Sequence, residues 1–419
     1  MRVIVIGAGV IGTTTAWFLA QHGHEVTLLD RGPGVGLETS FANGGLLHAS
    51  HAEPWNAPGV IWQLLRWIGR ENSPLLVRPG QLPRLAGWGL GFLRYSRRRR
   101  FEHSTRLNSQ LAVYSLEMLR TLRRETGIRY DGQQNGILKI FREQASQDKA
   151  LRASAFMEEL GVRHAMLDPR QTIALEPALA DIGHELIGSL YYPDDESGDA
   201  HLFTARLAEL ARGQGVSVET DTPVNRLVRQ GDHIKYLEIP GGRLSAERYV
   251  LAAGCQSPIL ARQAGIRLPI YPVKGYSATL PVDGWSNPPA IPVIDDANKV
   301  VLSMLGSRVR IAGTAEFAGY DLTLREHRAR SVLEQMLKTF PSLEQHVRDD
   351  RMEYWCGLRP MTMDGPPILG ASPLTNLYLN CGPGHLGWTF ACGAGKLVAD
   401  MISGKPTALN MEGYSVARY

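Results

Sequence analysis

The chain has 419 residues, 44% of them hydrophobic and 21% charged, the mix of an ordinary globular protein with room for roughly two to three domains. A formal net charge of +4 is too small and too dispersed for a nucleic-acid binder, which needs a concentrated basic face. Four cysteines (Cys255, Cys356, Cys381 and Cys392) make no C-x-x-C pair and are too sparse for a disulfide framework. They read as reduced, mostly buried thiols. With no signal-like leader and no apolar run of membrane-spanning length, the expected compartment is the cytoplasm.

Residues 2–6 are short, apolar and β-branched, as a buried parallel strand is. A glycine turn follows at 7–12, then helical spacing through Ala16, Leu19 and Ala20, then a strand at 24–30. This is a βαβ unit. Gly7, Gly9 and Gly12 form G-x-G-x-x-G: the first permits the turn, the second lets a pyrophosphate approach the backbone, and the third lets helix and strand pack closely. Asp30 ends the second strand where a carboxylate accepts ribose hydroxyls and disfavours a 2′-phosphate. The motif alone leaves NAD and FAD open.

Residues 55–103 alternate apolar stretches with arginines. Trp55, Trp62, Trp67 and Trp88 fall here, and the stretch ends in "RYSRRRR". Two readings stay open: an amphipathic patch lying on a membrane surface, or a buried helical hairpin with a solvated basic end. The spacing predicts a long helix over 104–126 with Leu111, Tyr114, Leu119 and Leu122 on one side, a strand over 136–141 and a helix over 145–161. A second α/β signal begins at 199, where Asp199 caps a helix over 200–213. Strands are predicted in "VSVET", "YVLAAG", "YPVKGYSATL", "VVLSML" and "VRIAGT", and a helix over 323–340. The acidic run "DDESGD" lacks the alternating spacing of a calcium loop and reads as a turn and helix cap.

The strand "LYLN" at 377–380 runs into a second glycine-rich helix start, "CGPGHLGWTFACGAG", ended by Gly404 and Pro406. NAD has one anionic group to place at a helix start. FAD has two: its pyrophosphate, and the N1–C2=O edge of the isoalloxazine, which becomes negative on reduction. The second helix start therefore argues for FAD. A tight turn that only packs helix on strand is the plainer alternative.

Read together, "VIGAGVIGTTTAWFL", "LLDRGPGVGLETSFANGG", "EPWNAPGV", "YYPDDESGDAHLFT", "YPVKGYSATL", "GLRPMTMDGPPILG" and "GHLGWTFACGAG" resemble the D-amino-acid dehydrogenase branch of the FAD-dependent D-amino-acid oxidase family. The resemblance covers nearly the whole chain. It implies an α/β (α+β overall) fold: a Rossmann-like FAD-binding domain drawn from 1–50, 190–265 and 350–419, interleaved with a mainly antiparallel β substrate domain from 51–189 and 266–349 that carries the Trp/Arg-rich helical insertion. It implies that Gly7, Gly9, Val10, Ile11, Gly12, Asp30 and Arg31 grip the adenosine diphosphate, and that Thr39, Ser40, Asn43, Gly44, Gly45 and Leu46 lie beside the flavin. Val224 matches the adenine-side strand, and Ala253 and Gly254, at the end of a predicted strand, are expected with it among the cofactor-binding residues. Gly384, His385, Leu386, Gly387 and Thr389 match the flavin-edge helix start. Arg359 of "GLRP" matches the arginine that holds the substrate carboxylate, a role its planar fork suits.

Tyr276 and Tyr320 read either as pocket hydroxyls or as plain packing, and His385 as an orienting residue or a backbone contact. One departure stands out. Where such dehydrogenases often carry a polar residue and a tyrosine after "ANGG", this chain has "LLHASHAEPW". His48 thereby becomes a candidate pocket residue, and the preferred substrate side chain is left open. His48 and His51 have no third ligand nearby, so no metal is expected.

The implied reaction is oxidation of a D-amino acid to a 2-oxo acid and ammonia, with electrons leaving to a quinone or other electron-transfer acceptor at a peripheral membrane contact on the cytoplasmic face of the inner membrane. A narrow D-proline or D-hydroxyproline enzyme, an oxygen-using amine oxidase, and a flavin-bearing subunit without chemistry of its own are the alternatives.

Overall fold

The structure, a computed structural model, describes residues 1–62, 71 and 73–419. Trp67 and most of the stretch 59–69 lie outside the described residues. Arg2–Ile6 is the buried apolar strand expected, central to a six-stranded sheet. Glu25–Leu29 and Arg248–Leu251 flank it in parallel, with Ser217–Glu219 and Leu377–Cys381 beyond them, also parallel. The edge strand Ile368–Ala371 runs antiparallel. The parallel strands therefore bring their carboxyl ends to one edge, the place where open α/β sheets bind ligands.

One face of this sheet is covered by the helices Val10–Gln21, Arg98–Thr126, Ala200–Gly213 and Gly387–Ile402, through Leu19, Leu111, Leu116, Phe203, Leu207 and Phe390. Fully burying each such side chain contributes about 1.5–3 kcal/mol. Two of the late glycines serve this packing. A Cβ at Gly393 would lie 2.8 Å from that of Ser115, and one at Gly395 would lie 2.9 Å from the Thr14 backbone. Asp199 caps its helix as expected, accepting from the amides of His201 and Leu202. The long helix starts at Arg98, six residues earlier than its apolar spacing indicated: the arginine run is its first turn, tied by Arg98 donating to Glu102 at 2.8 Å. On the opposite face, the small antiparallel sheet 226–244 and the helix Ser257–Gln263 bury Leu227, Ile234, Leu237 and Leu260.

A nine-stranded, mostly antiparallel sheet stands beside the first, with Ile270–Pro281 paired to both Arg308–Phe317 and Glu353–Thr362. The helix Glu326–Leu337 seals it through Ala329, Val332, Leu333 and Met336. Two segments fall across the expected division of the chain. Glu353–Thr362 belongs to this large sheet, not to the flavin-side one, and Arg98–Thr126 packs on the flavin-side helices. Local periodicity gives an element's type; which sheet or face it joins is set by partners far along the chain.

In the tryptophan-rich stretch, the helix Leu82–Tyr95 turns Trp88 inward, where its Nε1 donates to the Met361 carbonyl at 3.1 Å and its ring stacks on Phe92. Leu82, Leu90 and Trp62 face outward, Leu90 and Trp62 being 71% and 72% exposed. The stretch thus has a packed side and a bare apolar side. Among the described residues no helix is long and apolar enough to cross a membrane.

Candidate active site

The first helix start is held by steric necessity. Gly7 sits at φ +103°, and a Cβ there would come 2.6 Å from the Ala252 carbonyl oxygen; a Cβ at Gly12 would overlap the Gly7 carbonyl. Only glycine allows strand, turn and helix to close this tightly. Val10 N donates to Ser40 Oγ at 3.1 Å, which draws the 39–45 loop onto the helix start. Asp30 anchors two further turns, accepting from Ala8 N at 2.7 Å and Gly32 N at 2.9 Å, and each carboxylate oxygen keeps a second lone pair for a ribose hydroxyl. Arg31 pairs with Glu38 and is half-exposed.

The second start follows the strand Leu377–Cys381. Gly382 and Gly384 take φ of +66° and +61°, a tight turn Gly384–Leu386 follows, and the helix Gly387–Ile402 begins. A helix start presents unpaired amides and a partial positive charge.

Both starts open on one cavity of about 1070 Å³, large for a drug-sized ligand and suited to a dinucleotide with a small substrate beside it. Gly7, Gly9, Val10, Ile11, Asp30 and Arg31 line it at one end, as do Val224, Ala253 and Gly254. Thr39, Ser40, Asn43, Gly44, Gly45 and Leu46 line its middle wall, and His48, Gly384, His385 and Gly387 join them. Internal bonds shape that wall: Thr39 Oγ1 donates to Leu358 O at 2.7 Å, and Asn43 Oδ1 accepts from Gly45 N at 2.9 Å. Gly12, Leu386 and Thr389 lie behind the wall. Thr389 acts there through its hydroxyl, which accepts from His48 N at 3.1 Å.

Arg359 projects from the large sheet into the same cavity. Its Nη1 donates to the Thr314 carbonyl at 3.1 Å and its guanidinium lies 5.6 Å from the Trp55 ring centre. Among the described residues no carboxylate pairs with it, and burial brings its pKa down to about 10, so it stays charged at any working pH. Sequence reading missed three residues that shape it. Across the strand pair, a Cβ at Gly275 would overlap the guanidinium, so that glycine makes the room. Thr314 holds φ +59°, a left-handed conformation unusual for a β-branched residue, and its buried Oγ1 has no partner among the described residues. Trp55 stacks on His385 with ring centres 5.3 Å apart. The isolated glycine in a strand was the one available signal among them.

Histidines fill the remaining corner. Burial lowers His385 to about 3, with repulsion from His48 and Arg359 adding to it, and lowers His48 to about 4. Both are neutral rings. His48 Nδ1 is buried without a partner among the described residues, so it is available to a ligand. The two tyrosines divide. Tyr276 lines the cavity, but its hydroxyl donates to Glu316 at 2.7 Å, within a cluster that includes Arg78 and Arg325. Tyr320 is off the cavity wall: it is 44% exposed and its hydroxyl donates to the Cys255 carbonyl. Its expected place in the pocket is corrected accordingly, because the backbone beyond Phe317 turns it toward the surface.

Two backbone cradles on one dinucleotide-sized cavity, with a lone cation and neutral rings at the far end, define a flavin-type oxidoreductase. The chain belongs to the FAD dependent oxidoreductase (DAO) family, whose model matches residues 2–401, and its cofactor is FAD. The D-amino acid dehydrogenase of Paramagnetospirillum magneticum is 49% identical over all of this chain and 99% of its own length, and that of Dechloromonas aromatica is 44% identical over 97% of each. Among solved structures, glycine oxidase from Geobacillus kaustophilus superposes with a TM-score of 0.78 at 24% identity, covering 100% of this chain and 99% of its own. A FAD-bound glycerophosphate oxidase from Mycoplasma pneumoniae has the same fold, with a TM-score of 0.70 at 18% identity over 98% of this chain and 97% of its own. The cradles, the paired lone pairs of Asp30 and the cavity volume fit FAD.

Proposed function

We propose that the protein oxidises D-amino acids to 2-oxo acids and ammonia and delivers the electrons to a quinone or similar carrier. The observation that carries this reading is Arg359: a charged planar fork, half-buried, without a carboxylate of its own among the described residues, in the cavity that both helix starts share. Full-length relatives named D-amino acid dehydrogenase support it.

When bound, FAD supplies the hydride acceptor that no side chain can provide. The chain's residues supply the rest. Arg359 binds the substrate carboxylate with two parallel hydrogen bonds and fixes the Cα. The Thr314 hydroxyl, unpartnered among the described residues, offers a further donor to the same carboxylate. Trp55 walls the site from water, and the neutral rings of His48 and His385 let an amine approach without repulsion. The helix start at Gly387 puts partial positive charge where negative charge develops. The imino product then hydrolyses in water. The exposed Leu82 and Leu90 of the 82–95 helix, with Arg84 and Arg94 on the same helix, and the exposed Trp62 support a peripheral contact with an anionic membrane on the cytoplasmic side, where a quinone is reached.

The test is an anaerobic panel of D-amino acids, D-proline included, on the yellow purified protein, followed by reoxidation with a quinone analogue or with air. Bleaching by D-amino acids and faster return with quinone are expected. A flavin that no D-amino acid reduces, or that air reoxidises as fast as quinone, would refute the respective halves of the reading.

A further inference from the structure

Next to the cavity is a hydrogen-bonded chain of three side chains. Ser50 Oγ donates to Asp195 Oδ2 in a short contact, and lies 2.6 Å from His51 Nδ1. The other Asp195 oxygen accepts from Ala49 N at 2.9 Å. Asp195 and Ser50 are 1% and 2% exposed, while His51 is on the cavity wall. Donor counting fixes the direction. An ionised Asp195 only accepts, so the Ser50 proton goes to it. His51 must then donate Nδ1–H to Ser50, which leaves Nε2 as the ring's acceptor, away from Ser50.

We propose that His51, Ser50 and Asp195 are the proton exit for the substrate ammonium, an inference that rests on the D-amino-acid reading above. A zwitterionic substrate cannot give up hydride until its amine is neutral. His51 Nε2 takes one ammonium proton, Nδ1–H passes one to Ser50 Oγ, and the Ser50 hydroxyl proton passes to the Asp195 carboxylate. The N–H bond of the ammonium breaks, an O–H bond forms on Asp195, and the amine is left with its lone pair. Hydride loss from Cα then gives the iminium, so the substrate has lost one proton to the relay and one hydride, two electrons and two protons in all. The proton on Asp195 returns by the same chain to water that fills the cavity after product release.

The surroundings suit this direction. Burial pushes the Asp195 carboxyl up to about 7, opposed by the hydrogen bonds from Ser50, Ala49 and the Ser50 amide, with Asp194 raising it slightly. A carboxylate with that affinity accepts a proton from an ammonium and releases it near neutrality. Burial, then Lys139, His48 and His385, hold His51 well below its usual value, so it conducts a proton rather than storing one. Tyr192 packs against His51 at 5.2 Å with its hydroxyl on Ser154, Lys139 is matched by Asp296 at 2.9 Å, and Asp194 by Arg163. Among the described residues the neighbouring His48 has no such outlet, since its Nδ1 has no partner there.

The experiment compares wild type with Ser50→Ala, Ser50→Thr and Asp195→Asn, all loaded with FAD. Wild-type kcat/KM is expected to level off above about pH 7. In Ser50→Ala and Asp195→Asn it should climb tenfold per pH unit toward the substrate's own amine pKa, with a deficit on the order of 10²-fold at pH 7 that closes at high pH. Ser50→Thr keeps the hydroxyl and should restore the plateau. Independently of turnover, infrared difference spectra of wild type mixed anaerobically with substrate should show a protonated-carboxyl band that Asp195→Asn lacks. A loss by the same factor at every pH, an unchanged profile, or the same band in Asp195→Asn would overturn the relay. If Asp195→Asn does not fold, the Ser50 pair decides. A wild-type flavin that D-amino acids never bleach would instead sink the reading on which the relay rests.

Discussion

Removing Arg359 separates function from stability more cleanly than any other change. Two charge-assisted hydrogen bonds to a substrate carboxylate are worth about 1.5–3 kcal/mol each, so Arg359→Ala should lower kcat/KM by about 10²–10⁴-fold. The folded chain loses little. The guanidinium gives up one hydrogen bond, to Thr314 O at 3.1 Å, and no ion pair among the described residues. Against that loss, a half-buried cation with no ion pair among the described residues is gone, and partly desolvating such a charge is itself costly. Thermal unfolding of the FAD-loaded variant should therefore occur at the same temperature or higher, with its yellow colour intact. Arg359→Lys keeps the charge but not the fork, and should fall between the two. The assays are anaerobic flavin reduction across substrate concentrations and a thermal melt. Turnover within a few-fold of wild type, or a variant that unfolds early and loses flavin, would show that Arg359 is a structural cation and not the carboxylate clamp.

Gly275→Ala puts a methyl group where the guanidinium lies and should reduce kcat/KM by about 10–100-fold without loss of FAD, read from flavin-to-protein absorbance and initial rates. Gly12→Ala overlaps the Gly7 carbonyl and should yield protein largely free of FAD, read from the same absorbance ratio. Acid should destabilise the fold. His48, His51 and His385 have folded pKa values below their unfolded one, so the unfolded state binds more protons as pH falls through 6.5; Asp195, raised to about 7, works in the opposite sense. The net is about two protons, so these groups should remove roughly 2–3 kcal/mol per unit between pH 6 and 5, and His48→Gln should lower that slope in urea titrations. Leu90→Asp should weaken binding to anionic vesicles in a sedimentation assay while leaving anaerobic reduction unchanged.

Much of the cofactor grip was legible because it is local. Gly7, Gly9 and Gly12 lie within six residues, and their strand and helix flank them directly. The turn at 382–387 likewise carries its own strand and helix, and Asp199 announces its helix by chemistry alone. What stayed hidden is assembled from afar. Gly275 meets Arg359 only because Ile270–Pro281 pairs with Glu353–Thr362, and no periodicity in either strand names the other. Ser50 and Asp195 are separated by 145 positions, and Trp55 reaches His385 across a still longer span. Tyr320 and Trp88 show the converse: residue type left a pocket hydroxyl or plain packing open for the first and a membrane patch or a buried hairpin open for the second, and distant contacts decide both, with Tyr320 bonded to the Cys255 carbonyl off the cavity wall and Trp88 turned inward. The histidines were visible as letters, but their neutrality comes from burial, which no short window contains.

The central claim is that two backbone cradles hold one FAD with its ring beside Arg359, where a D-amino acid gives up its Cα hydride. Anaerobic titration of the purified holoprotein with matched D and L enantiomers, followed by flavin absorbance, tests it most directly. Stoichiometric bleaching by the D form, with the L form inert, is the expected result. A protein that carries one FAD per chain and is reduced by neither enantiomer, or equally by both, would contradict it.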